Sequence, residues 1–144
     1  IALACLELAV REKRDYSLLT FSEVVKNTFG FSKQNPPTIR DIINIASENY
    51  GGCTDFEAPL RCAAEEIVHG ENKEKADILF ISDGICDISD RFRQEFTDFK
   101  MKTKTKVIAV LIGAEDDGTL RKFSDKVIEV ADFYVGSKEV FENV

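Results

Sequence analysis

The sequence predicts an α/β domain built on a doubly wound, mostly parallel sheet flanked by helices. Three observations predict it. Two short segments, 78–82 (Ile-Leu-Phe-Ile-Ser) and 106–112 (apolar from Val107 onward), are continuous runs without polar alternation. Runs of that kind belong to strands covered on both faces. Segments with apolar residues at helical spacing separate the strand-like runs, as expected where crossover helices join parallel strands. The 144 residues, 44% of them apolar, supply one core of ordinary domain size that needs no disulfide staples.

The elements follow in order. Residues 1–13, rich in Ala and Leu, read as a helix, residues 16–21 as a short apolar strand, and residues 24–29 as its hairpin partner. In Ser32-Lys33-Gln34-Asn35-Pro36-Pro37 two prolines bar a helix from running through. Residues 38–49 place Ile39, Ile42, Ile43 and Ala46 at helical spacing. Residues 59–68 form a second amphipathic helix closed by His69-Gly70, where a histidine cation would pair with the helix dipole. After the strand at 78–82, residues 91–102 put Phe92, Phe96 and Phe99 on one core-facing side. Beyond the strand at 106–112 come a short helix at 120–124, a strand at 127–130 and a last helix at 137–143. No repeat, low-complexity tract or linker interrupts the chain, so residues 1–144 read as a single domain.

The first helix is unusual. It is apolar on nearly every face, and no Ser, Thr, Asp or Asn caps its start. Such a helix needs burial on several sides. In a doubly wound sheet an early strand lies centrally, and about five apolar residues at roughly 1.5–3 kcal/mol each would contribute about 10 kcal/mol. That is comparable with the whole stability of a domain. The expectation is a buried first strand upstream of Ile1, with the domain truncated at its N-terminus.

Charge narrows the partners. Nineteen basic residues stand against 26 acidic ones, a net charge of −7. Phosphate neutralisation needs a basic face, so nucleic acid is not an expected partner, nor is an anionic membrane surface. The run from Lys100 to Lys106 reads as a solvated edge in a chain this acidic. No apolar run is long enough to span a bilayer, and no signal-peptide pattern precedes the first helix. Cys5, Cys53, Cys62 and Cys86 form no C-x-x-C pair and share the chain with one histidine, so a zinc knuckle is not predicted. Scattered single thiols point to a reducing, cytoplasmic setting.

In open α/β sheets, ligands bind beyond the carboxyl ends of the strands. Two segments meet that condition: Gly51-Gly52-Cys53-Thr54-Asp55-Phe56, which leads into a helix, and Ile81-Ser82-Asp83-Gly84, which ends a strand. The Thr54 hydroxyl and the Asp83 carboxylate are hard oxygen donors suited to Mg²⁺ and not to zinc. Gly51 and Gly52 would allow the tight turn that brings the hydroxyl to the strand ends. Other roles stay open. Thr54-x-x-Glu57 fits a capping box, although Pro59 would then fall at the fifth helical position, where its missing N–H breaks a bond. A helix start near Phe56 puts Pro59 in the first turn and releases Thr54. Asp83-Gly84 is equally a turn dipeptide. Asp55 either supports the site or is a first-turn acid on the helix dipole. Asp87, Ser89 and Asp90 read as the solvated start of the next helix, capped by Ser89 or Asp87, or as a rim that contacts a partner. Cys53 is a poor magnesium ligand and has no His partner for catalysis.

Gly-Gly-Cys-Thr-Asp-Phe-x-x-Pro-Leu resembles the threonine loop of von Willebrand factor type A domains, and Ile-Leu-Phe-Ile-Ser-Asp-Gly resembles their later strand-plus-aspartate motif. Residues 16–22 and 106–113 look like two further sheet strands of that family, so the resemblance covers essentially the whole chain. Among subfamilies it is most similar to the intracellular ViaA- and CoxE-like group. The resemblance implies a Rossmann-like fold with a metal-ion-dependent adhesion site built by three loops. Thr54 and Asp83 match the second and third loops, with Asp55, Gly51, Gly52, Ser82 and Gly84 at the rim. The first loop, Asp-x-Ser-x-Ser, would lie before Ile1. The implied function is non-enzymatic: a protein-interaction module using Mg²⁺, with a MoxR-type AAA+ ATPase as partner. Two alternatives are a magnesium-dependent phosphatase-like hydrolase, whose Asp-x-Asp nucleophile loop the sequence lacks, and a metal-free scaffold domain.

Overall fold

Strand-like and helix-like segments alternate in the three-dimensional structure as they do in the sequence. A computed structural model describes residues 1–48, 55–70, 76–113, 115 and 118–130. The chain divides into two compact units, Ile1–Cys53 and Thr54–Val144.

The first unit contains α1 (Ala2–Glu12), β1 (Tyr16–Phe21), β2 (Val25–Phe31) and α2 (Ile39–Ser47). β1 and β2 form the expected hairpin, antiparallel from Tyr16↔Phe31 to Phe21↔Val25. Val24 falls in the turn, because the Ser22 N–H donates to its carbonyl at 3.1 Å and the register shifts between Thr20 and Phe21. α1 has no side-chain cap at its start and buries Cys5, Leu6 and Ala9, while Val10 stays 47% exposed. A helix that is apolar all round is thus covered mainly on one side. Leu6 packs with Phe31 and Ile45, flanked by Leu3, Tyr16, Leu18 and Phe29. α2 starts at a capping box in which Thr38 and Asp41 bond each other's backbone N–H. Those bonds from Thr38 hold the Asp41 carboxyl below its ordinary range.

The second unit contains α3 (Glu57–His69), β3 (Ile78–Ser82), α4 (Asp90–Thr103), β4 (Val107–Ile112), a 3-10 turn (Leu120–Lys122) and β5 (Lys126–Val130). The three strands form a parallel sheet in the order β3-β4-β5. The fold class is therefore α/β, as the two apolar runs predict. Val107, Ala109, Val110 and Leu111 of the middle strand are fully buried, so β4 is covered on both faces. On its side away from β4, β3 has no strand partner among the described residues.

Aromatic rings fill this unit. Phe56, just before α3, meets Phe80 of β3 edge-on at 4.9 Å and Phe123 at 6.2 Å. Phe92 and Phe96 of α4 stack at 5.3 Å and are buried, while Phe99 is half-buried. The core-facing side expected of α4 is thus present.

One expectation fails. Lys100 is not part of a solvated edge: its side chain is only 16% exposed, and Nζ lies 2.9 Å from Asp125 Oδ2 and donates to the Phe123 carbonyl at 2.9 Å. The lysine sits one residue from Phe99, on the flank of α4 that meets the segment before β5. Its stem is buried there and its charge is met by a carboxylate. Lys104 ends α4 in the left-handed conformation, φ 59°. The helix expected at 137–143 lies outside the described residues. No described helix is long and apolar enough to cross a membrane.

Candidate functional site

Parallel pairing places Ser82 beside Leu111 and Ile112 beside Val130, so the carboxyl ends of β3, β4 and β5 share one rim. The chain leaving β3 turns at once. The Ser82 hydroxyl accepts the Gly84 N–H at 3.1 Å and donates to the Gly84 carbonyl at 3.0 Å. Ser82 is buried by this closure and Asp83, at the apex, is exposed. Among the described residues the Asp83 carboxylate has no hydrogen-bond or ion-pair partner. The Ser82 hydroxyl is thus committed within the turn, whereas the Asp83 carboxylate is not committed among the described residues.

The rest of the loop is tied down. Ile88 is buried. Asp87 Oδ1 accepts the Ile88 N–H at 2.9 Å and lies 2.6 Å from Lys122 Nζ, a lysine of the 3-10 turn. The Lys122 hydrogen bond, then the Ile88 N–H, holds the Asp87 carboxyl below its usual range. Ser89 caps α4 by accepting the Phe92 N–H at 3.2 Å. Of the two caps the sequence allows for α4, the structure uses Ser89, and Asp87 serves the loop instead.

The approach to α3 resolves a second alternative. The helix begins at Glu57, so Pro59 is its third residue and falls in the first turn. Asp55 Oδ1 accepts the Glu57 N–H at 2.8 Å, satisfying one orphan donor of the helix start. Asp55 thus serves the start of α3 from just ahead of it, while the acid within the first turn is Glu57. The Glu57 carboxylate serves both helices: Oε1 accepts the Ser89 N–H at the start of α4 at 2.7 Å, and Oε2 lies 3.6 Å from Arg61 Nη2 of its own helix. Gly51, Gly52, Cys53 and Thr54 lie outside the described residues.

The donor chemistry of the described rim suits magnesium in kind: an exposed carboxylate oxygen. In number it supplies one ligand, Asp83, where Mg²⁺ takes six. No group of three or more His, Cys, Asp or Glu side chains stands together among the described residues. Glu57 and Lys122 escape a reading of the sequence as partners of this loop. Glu57 has a signal, the capping-box spacing after Thr54, but its carboxylate also serves a different helix. Lys122 has none, being one lysine in a charged chain, 35 residues from Asp87.

A parallel sheet whose strands are joined by helical segments defines a Rossmann-like α/β domain. A family model for the von Willebrand factor type A domain matches residues 1–85, and the chain belongs to that family. Membership places it, in broad terms, among protein-interaction modules. It is 40% identical over 135 residues to the uncharacterized protein MJ0811 of Methanocaldococcus jannaschii, covering 92% of this chain and 30% of that protein. It is 29% identical over 130 residues to the uncharacterized protein MJ0077 of the same organism, covering 90% of this chain and 31% of that one. The chain thus spans about a third of the length of these relatives.

Proposed function

We propose that the chain is a non-enzymatic protein-interaction module that engages its partner through a magnesium-dependent adhesion site. The supporting observation is Asp83: it stands exposed at the carboxyl end of β3, uncommitted among the described residues, on a loop in which the side chains of Ser82, Asp87 and Ser89 are all engaged. Asp83 and Thr54 would hold Mg²⁺, at the two positions that match the family's third and second loops. When bound, the ion supplies a fixed positive charge that an acidic side chain of a partner completes. Ser82 sets the direction of Asp83 by fixing Gly84, and Asp55 steadies the helix that follows Thr54. The proposed partner, on the resemblance to the ViaA- and CoxE-like group, is a MoxR-type AAA+ ATPase in the cytoplasm.

Pull-down of the ATPase by the full-length protein, with and without EDTA, tests this reading. Retention should be lost on chelation and in Asp83→Ala. Retention indifferent to both would remove the metal from the mechanism.

A further inference from the structure

Ser89 begins α4 in the manner of a capping box with one half missing. Its hydroxyl takes the Phe92 N–H, but the third helical residue is that same Phe92, which carries no acceptor to return the bond to the Ser89 N–H. The acceptor comes from another helix. Glu57, the first residue of α3, supplies Oε1 at 2.7 Å. The backbone N–H of this same Glu57 is held by Asp55 Oδ1 at 2.8 Å. One residue therefore bonds both the segment entering α3 and the segment entering α4. The side chain is braced from behind. Arg61 lies 3.6 Å from Glu57 Oε2, donates to Glu95 Oε2 of α4 at 2.8 Å, and sits 4.7 Å over the Phe92 ring. A carboxylate at the start of α4 is also favoured by that helix's dipole.

We infer that Glu57 is a positioning residue: by accepting the Ser89 N–H it holds the loop carrying Asp83 in fixed register with the segment that enters α3. This rests on the adhesion-site reading, in which donors from those two segments act on one ligand. Two loops that moved independently would present their oxygens at varying separations, and a hard cation or a partner carboxylate would gain from only one at a time. The bond costs little to keep, because Ser89 N–H has no other acceptor in its own helix.

The test is amide hydrogen exchange of the full-length protein, with and without saturating Mg²⁺, on two variants. Glu57→Asp keeps the charge and shortens the reach. Glu57→Gln keeps the reach and an acceptor oxygen but loses the charge. Glu57→Asp should speed exchange in residues 83–89 and 55–58 together by about tenfold, the worth of one charge-assisted bond. Glu57→Gln should stay within about threefold of the natural protein. The body of α4 should exchange alike in all three, whereas a merely structural role would loosen the whole helix. Unchanged exchange in Glu57→Asp overturns the inference, even if Mg²⁺ protects the loops of the natural protein. Absence of any Mg²⁺ effect in the natural protein would count against the metal reading alone, because the exchange ratio between the variants still decides the role of Glu57.

Discussion

Lys122, in the turn after β4, reaches to 2.6 Å from Asp87, in the loop after β3. The segments that follow two adjacent strands of the sheet are thereby tied together, in the loop that also carries Asp83. The pair depresses the Asp87 carboxyl, led by the Lys122 hydrogen bond. A carboxyl depressed in the folded state adds stability above its unfolded pKa, and that stability is lost as pH falls through its folded value. Lys122→Ala should move the Asp87 titration up toward the ordinary carboxylate range, read by NMR, and should speed amide exchange in residues 83–88. An unmoved titration would mean that the pair does not form in solution.

Asp125 closes the opposite end of the sheet. Its Oδ2 accepts the N–H of fully buried Val107 at 2.7 Å and meets the mostly buried Lys100 at 2.9 Å. Burial pushes its carboxyl up, but the Lys100 hydrogen bond and the Val107 N–H together hold it below its usual value. Asp125→Ala should cost about 1–3 kcal/mol in urea unfolding near neutral pH. The difference should shrink as pH falls through the folded pKa, because the natural protein loses this contribution there while the variant has none to lose.

Phe56 is fully buried and meets Phe80 and Phe123 edge-on. Phe56→Ala should destabilise the protein by about 3–5 kcal/mol in denaturant unfolding. A loss under about 1 kcal/mol would show that the ring is not in the core.

Lys104 closes α4 at φ 59°, a conformation that strains a residue with a side chain. Lys104→Gly should raise stability by roughly 0.5–1 kcal/mol, the relieved strain exceeding the added freedom of the unfolded chain.

What the sequence made legible was local. The runs at 78–82 and 106–112 announce covered parallel strands because no polar residue interrupts their apolar stretches, and the second strand starts one residue later than read, at Val107. Pro59 locates the start of α3 because its ring forbids the earlier start a Thr54 cap would need. Phe92 and Phe96 declare the inner face of α4 by spacing alone. The misreadings and omissions are non-local. Lys100 looked solvated because its partner Asp125 is 25 residues away and its burial depends on packing that periodicity does not encode. Glu57 looked like half of a box on its own helix and instead completes one on the next, 32 residues away. At the rim, Asp83 was legible as a strand-end carboxylate, but the tether that fixes its loop, through Glu57 and Lys122, was not.

The most direct test of the account is a calorimetric titration of Mg²⁺ into the full-length protein and its Asp83→Ala variant. The account predicts saturable binding by the natural protein and an affinity lower by about tenfold or more in the variant. Equal Mg²⁺ affinity in the two, or no binding by either, would contradict it.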